Sequence, residues 1–167
     1  MVRRVYQSFH YARDAHRVAQ VGQMGAIEGQ PLLSLNRWEE VTHGGDRAIK
    51  RWIHKEMQGK SCLLVLIGTY TSRRQWVDYE IKRGWEKGLG VLGIHIHGLK
   101  NLQGVQSQKG SNPFSKFTID SGRWSLGSIV PVHDPPYKRS KFVYNNIAEN
   151  LDTWIDEAIA IRRCYPR

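Results

Sequence analysis

The residues with the clearest chemical content are Trp76-Val77-Asp78-Tyr79-Glu80, where an aromatic ring and a carboxylate stand four positions apart. On a helix that spacing stacks them on one side, a turn apart. A carboxylate beside an aromatic face accepts hydrogen bonds from the vicinal hydroxyls of a ribose and stabilises positive charge developing at an anomeric carbon. The other reading of Glu80 is a helix-surface carboxylate paired with Arg83 or Arg73, and spacing alone leaves both open. His95-Ile96-His97 places two imidazoles on one face of a strand, a spacing that can serve a metal. With no third ligand nearby, the pair reads as hydrogen-bonded structural histidines, and no metal is expected.

Other motifs fail on context. Gly88-Leu89-Gly90-Val91-Leu92-Gly93 matches G-x-G-x-x-G, but that fingerprint turns a strand into a helix whose amides face a pyrophosphate. Here the run leads from a helix into a strand, so it reads as a helix stop and a tight strand entry. Gly59-Lys60-Ser61 resembles the end of a phosphate loop, but His54 stands where the first Gly is required. A receiver-like phosphorylation site needs acids after the first strand, where Phe9-His10 stand, and an Asp at the end of the central strand, where Gly68 stands. G-x-S-x-G is absent, which removes the serine-hydrolase elbow.

The elements that must position Glu80 follow from hydrophobic patterning. Ser61 to Gly68 and Gly90 to His97 read as buried strands. Between them, Ser72-Arg73-Arg74-Gln75 fits a capping box opening a helix to about Lys87, with Val77, Ile81 and Trp85 facing the core and Gly88 as its stop. Glu80 lies beside that stripe and is expected to be half buried. Arg73 and Arg74 then fall in the first turn, where positive charge opposes the macrodipole and favours an anionic partner such as a pyrophosphate. A strand-helix-strand unit with short joints requires a parallel sheet covered by helices. Ligands of such sheets collect at the carboxyl ends of the strands, here the loops after Phe9 and Gly68 and the start of the Glu80 helix.

The same pattern extends outward. A short strand falls within Val2 to Phe9, followed by a helix from Arg13 to about Gly25. Leu32 to Leu35 reads as a small second strand. Asp46 is placed to cap a further helix with Ile49, Trp52, Ile53 and Met57 on one face and Gly59 at its end. Residues 98–128, rich in Gly, Ser, Asn and Gln, form a long loop excursion; within it Lys109 to Phe114 reads as structural, with Phe114 anchoring the loop to the core. Ser128 to His133 returns as a last strand, and an amphipathic terminal helix runs from about Ser140 to Arg162. No repeat or linker divides the chain, so residues 1–167 form one domain.

Composition bounds the function classes. The chain has 167 residues, 25 Lys and Arg against 15 Asp and Glu, six Trp and 40% hydrophobic residues, enough apolar material for a packed core. The longest apolar run, Cys62 to Ile67, is far short of the roughly 20 residues of a membrane span. The basic N-terminal residues lack an apolar signal core, and the two cysteines form neither a disulfide framework nor a zinc site, which reads as cytoplasmic. Residues 73–87 carry five basic and three acidic side chains and residues 138–167 six and four, so the positive charge is dispersed. With no helix-turn-helix, zinc-finger or RNP-like pattern beside it, nucleic-acid binding is not the expected function.

Seven segments occur in a recognisable order: Ser8-Phe9-His10-Tyr11, Trp38-Glu39, Gly45-Asp46-Arg47-Ala48-Ile49-Lys50, Val65-Leu66-Ile67-Gly68-Thr69, Trp76-Val77-Asp78-Tyr79-Glu80-Ile81, Gly93-Ile94-His95-Ile96 and Lys109-Gly110-Ser111-Asn112-Pro113-Phe114. Over roughly residues 3–117 the chain thereby resembles the TIR-like proteins of the ThsB family, from the Thoeris anti-phage defence system. The resemblance implies an α/β flavodoxin-like TIR fold with a central parallel sheet flanked by helices. It implies NAD as substrate rather than cofactor, cleaved to nicotinamide and a cyclic ADP-ribose-type or related ADP-ribosyl signal that activates a separate effector once a phage protein triggers it. Trp76 and Glu80 match the TIR W-x-x-x-E pattern, so Glu80 carries over as the catalytic glutamate. Ser8, Phe9, His10, Trp38, Thr69, Arg73 and Trp76 are then the expected substrate-binding residues. Some TIR domains are adaptors that only bind other TIR domains, so a non-catalytic interaction module is the alternative, and a homo-oligomer belongs to the expected partners.

Overall fold

In the computed structural model, which describes residues 2–29 and 41–166, five strands form one parallel sheet. They are β1 (Arg3–Ser8), β2 (Ile27–Gly29), β3 (Cys62–Ile67), β4 (Gly90–His95) and β7 (Val132–His133), in the order β2-β1-β3-β4-β7. The chain starts in the middle of the sheet, runs to one edge and then crosses to the other side, so the direction of travel reverses between β1 and β3. That is the switch point where flavodoxin-like sheets open a crevice. β3 and β4 pair over their full length, from Cys62 opposite Gly90 to Ile67 opposite His95, and every residue of both strands is buried. Such continuous burial is what a helix layer on each face imposes on a central parallel strand.

Alternation along the strands divides the core. On one face Val5, Leu64, Leu66, Leu92 and Ile94 pack against α1 (Tyr11–Gly22), through Val18 and Val21, and against α5 (Ser140–Arg163), through Val143, Ile147, Leu151 and Ile155. On the other, Tyr6, Leu63, Val65, Ile67 and Val91 meet Ile49, Ile53 and Met57 of α2 (Gly45–Met57) and Val77, Ile81 and Trp85 of α3 (Gln75–Glu86). The expected βαβ unit is present with its core stripe intact. Gly88 ends α3 at φ +81°, the left-handed position that a helix C-terminus reserves for glycine.

Several local expectations are corrected. Ser72 and Arg73 lie in a separate 3-10 turn, Thr71–Arg73, and α3 starts at Gln75 with Arg74 as its N-cap and no side-chain cap, so the capping box does not form. The Thr71 hydroxyl instead accepts the Gly68 amide at 2.8 Å, closing the end of β3. Asp46 lies inside the first turn of α2, whose N-cap is Gly44. The expected strand at Ser128–His133 shrinks to β7, because residues 126–129 form a helical turn, α4 (Leu126–Ile129), capped by the Ser125 hydroxyl. The strand expected at Leu32–Leu35 lies outside the described residues; the described second strand is β2.

The excursion after β4 is lashed down rather than loose. Phe114 is fully buried in the core, as expected. Lys116 Nζ donates to the Ser72 carbonyl at 2.6 Å and to Asp78 at 2.8 Å, and Lys109 pairs with Asp134 at 2.9 Å. A small antiparallel hairpin, β5 (Thr118–Ile119) and β6 (Trp124–Ser125), completes it. No helix among the described residues is long and apolar enough to cross a membrane.

Candidate active site

The last residue of β1 and the second turn of α3 bring two distant parts of the chain together. Ser8 donates its hydroxyl hydrogen to Glu80 Oε1 at 2.9 Å across 72 positions, and Glu80 is 8% exposed. The expected half-buried carboxylate is therefore buried, because β1 closes over it. The fully buried Tyr6, two residues earlier on the same face of the strand, brings its hydroxyl near the same carboxyl without a hydrogen-bond partner of its own. Neither expected ion pair forms: Arg83 pairs with Glu86 at 3.1 Å, and Arg73 lies with Tyr70.

Among the described residues this leaves Glu80 with hydroxyls beside it and no cation. Burial raises its pKa, the nearby Tyr6 hydroxyl and the Ser8 hydrogen bond lower it, and burial prevails, pushing it up to about 7. The carboxyl is thus divided between its two forms near neutral pH. Glu80 in turn pushes the Tyr6 phenol further up, adding to the effect of burial.

Around this carboxyl the carboxyl ends of β1 and β3 gather the remaining residues. His10 is the buried N-cap of α1, its pKa lowered by burial and by the nearby Arg74 guanidinium. Phe9 and Tyr11 flank it with ring centroids 5.9 Å apart. Tyr70 lies under two guanidinium groups, Arg13 at 4.5 Å and Arg73 at 5.2 Å from its ring centroid. Arg13, Arg73 and Arg74 are all exposed and give this rim three positive charges. Trp76 is half-buried one turn before Glu80 and packs edge-on against Tyr79 at 5.7 Å, and Tyr79 hydrogen-bonds His54 at 2.9 Å. Thr69 stands in the same region with its hydroxyl donated to the Gln108 carbonyl at 2.6 Å, tying the excursion to the end of β3. Trp38 lies outside the described residues.

Sequence reasoning brought Ser8, Phe9, His10, Arg73 and Glu80 into one region, and it missed Tyr6, Arg13 and Tyr70. Tyr6 carried a usable signal, a polar-tipped residue on the buried face of a strand one alternation before Ser8. Arg73 lies in the 3-10 turn before α3, over Tyr70, and only Arg74 stands at the helix start, as its N-cap.

The paired histidines behave differently from the reading given above. His95 and His97 sit edge to face with centroids 5.7 Å apart, and the Nδ1 atom of each is buried with no partner in the protein. Burial lowers the pKa of both, pushing His95 down to about 4. No group of three His, Cys, Asp or Glu among the described residues stands close enough to hold a metal.

The curated protein named "Putative cyclic ADP-D-ribose synthase ThsB1" of Bacillus cereus (strain MSX-D12) is 36% identical over 124 residues. That match covers 68% of this chain and 62% of the relative, so the chain aligns with somewhat less than two thirds of that protein. The family model described as "Thoeris protein ThsB, TIR-like domain" matches residues 6–101, more than half of the chain and the whole span from Tyr6 through Glu80 to His97. The chain belongs to the ThsB family of TIR-like proteins.

Proposed function

We propose that this chain cleaves NAD at its nicotinamide glycosidic bond and converts the remainder into a cyclic ADP-ribose-type signal. The observation that carries the proposal is Glu80, a buried carboxylate with no counter-cation among the described residues, at the carboxyl ends of β1 and β3 and held by Ser8. The relative's name, a cyclic ADP-D-ribose synthase, supports the same reaction.

The chemistry suits this set of residues. The C1′–N1 bond breaks with its electron pair passing to the pyridinium ring, so nicotinamide leaves as a neutral molecule and no strong acid is needed. Positive charge grows on C1′ and the ring oxygen of the ribose. An ionised Glu80 in a dry site stabilises that charge more than water would, and it accepts hydrogen bonds from the ribose hydroxyls. Closure follows when a nucleophilic atom of the same ADP-ribosyl group forms a new bond to C1′. If that atom is a hydroxyl oxygen, its proton passes to Glu80 or to water. The rim of Arg13, Arg73 and Arg74 is suited to the pyrophosphate, and Phe9, His10 and Trp76 to the flat rings at its ends. Trp38 and Thr69 complete the proposed substrate set. The product then acts on a separate effector, with a phage component as the trigger and a homo-oligomer as the working form.

Incubating the protein with NAD, with and without lysate of phage-infected cells, tests this. Nicotinamide release with an ADP-ribosyl product of cyclic mass, both lost in Glu80→Gln, is expected. If the wild type stays silent in both conditions, or Glu80→Gln is equally active, the chain is an interaction module of the TIR type instead.

A further inference from the structure

α3 carries Glu80 near the carboxyl edge of the sheet and then runs back toward the amino ends of the strands, where its last turn places Trp85. There a cavity of about 290 Å³ opens between α3, the β5–β6 hairpin and the residues after α5, lined by Trp85, Ile119, Asp120, Trp124, Tyr165 and Pro166. Three of these six described residues are aromatic, and their planes are inclined rather than parallel. Tyr165 stands 5.9 Å from Trp85 at 55° and 6.4 Å from Trp124 at 75°. Inclined rings make a box around a compact group; a flat ring would need a parallel slot. The charged side chain among these described lining residues is the carboxylate of Asp120.

We propose that this box binds a compact organic cation, a quaternary ammonium or guanidinium group, through the faces of Trp124 and Tyr165 and the carboxylate of Asp120. The ring faces offer negative quadrupole density and Asp120 a full opposite charge, the pairing by which aromatic cages hold such cations. The molecule already shows this preference in its own side chains. Arg123 lies over Trp124 at 5.3 Å, with its Nη1 3.8 Å from Asp120 Oδ2, a loose pair beyond hydrogen-bonding distance. It samples the two partners that an incoming cation would use, and so competes with it.

The frame of the box is built firmly. Arg162, 3% exposed, stacks on Trp85 at 4.2 Å and donates to the Trp85 carbonyl at 2.8 Å and the Tyr165 carbonyl at 2.9 Å, fixing the two walls relative to each other. Asp120 is presented by a tight turn in which the Arg123 amide donates to the Asp120 carbonyl at 3.1 Å. Asp120, Ser121 and Gly122 all take positive φ, 53°, 54° and 88°, the first two in a region that costs residues other than glycine energy.

The test is an NMR titration that follows the indole N–H resonances of Trp85 and Trp124. The probes are tetramethylammonium and N-acetylarginine amide, with sodium chloride at equal ionic strength as the blank and AMP as a flat anion. Saturable shifts with either cation beyond the blank are expected. The tighter of the two identifies the source as a free quaternary ammonium or a guanidinium side chain. Trp124→Ala, at a site 42% exposed, and Asp120→Asn, which tolerates the left-handed turn, should each weaken binding about tenfold, while Arg123→Ala should tighten it. Binding of AMP alone, weakened by Arg123→Ala, or no saturable shift with either cation in folded protein, would overturn the proposal.

Discussion

Glu80 and Asp14 are both buried carboxylates near the carboxyl ends of β1 and β3, 8% and 2% exposed, and the fold treats them in opposite ways. Asp14 is given a full counter-charge: Arg17, one turn on in α1, pairs with it at 2.8 Å, and both side chains are sealed from solvent. The guanidinium spends its remaining donors on the carbonyls of Leu99 at 2.8 Å and Val105 at 2.9 Å, so the pair fastens the start of the excursion. Asp14 also packs so tightly under Gly68 that a Cβ there would overlap its carboxylate. Among the described residues Glu80 has only hydroxyls beside it, those of Ser8 and Tyr6, and burial lifts its pKa to about 7 against the pull of these dipoles. A buried charge with a salt-bridge partner and satisfied donors is a fastening. A buried charge left with weak partners is held in a state that a developing cation in a substrate would relieve.

The sharpest way to break this distinction is to neutralise each carboxylate. Glu80→Gln should lower NAD cleavage by roughly 10³-fold or more, since in the proposed reaction it removes the carboxylate that stabilises the charge growing on the ribose. The same change should leave the protein at least as stable, because a buried ionised group is replaced by a neutral one of the same shape. Asp14→Asn should do the reverse. It strands Arg17 as a buried charge, and removing one partner of such a pair costs about 3–5 kcal/mol. Denaturant melts of the two variants at pH 8 should therefore shift in opposite directions. Equal losses of stability would mean that Glu80 is also a structural clamp.

A third prediction reads the same contrast through pH. The pKa of Glu80 is raised from 4.5 to about 7 on folding, so the folded state binds more protons than the unfolded chain between those values. The contribution of this group to stability is complete below pH 4.5 and falls as pH rises toward 7, by about 3 kcal/mol over the window. Above the folded pKa it is flat. Subtracting the Glu80→Gln profile from wild type should expose this falling limb. Catalysis should run the other way, rising through about pH 7 as the carboxylate forms.

How much of this could be read in advance depends on how local the cause is. The β3-α3-β4 unit was legible because buried strands, an i, i+4, i+8 stripe and a left-handed glycine are written within one short segment. The capping box was misread because Thr71, Ser72 and Arg73 serve the strand end instead: a 3-10 turn takes them, and the Thr71 hydroxyl closes on Gly68. β2 has three residues and pairs with the arginine-bearing start of β1, so it carries no hydrophobic signature of its own. In the site, Glu80 was found by its spacing from Trp76, but its burial was not, since it depends on β1 closing over it from 72 positions away. The Asp14–Arg17 clamp did leave a trace. Asp14, Val18 and Val21 share one face of α1, and a carboxylate on an apolar stripe needs a partner.

The finest test separates the two hydroxyls at this edge. Ser8→Ala removes a hydrogen bond that favours the ionised form of Glu80, so the midpoint of the activity profile should move upward from about 7 by about one pH unit, the size of one hydrogen bond to a charged group. The activity plateau above the new midpoint should drop only a few-fold, because the carboxylate is still present once it forms. Thr69→Val removes a hydroxyl of the same kind whose hydrogen goes to the Gln108 carbonyl, away from the carboxylate. It should cost about 1 kcal/mol of stability and leave the midpoint in place. A shift in the Thr69 variant as large as that in the Ser8 variant would show that the excursion tunes Glu80 through the end of β3. In that case the fastening and the reactive carboxylate would be one coupled system.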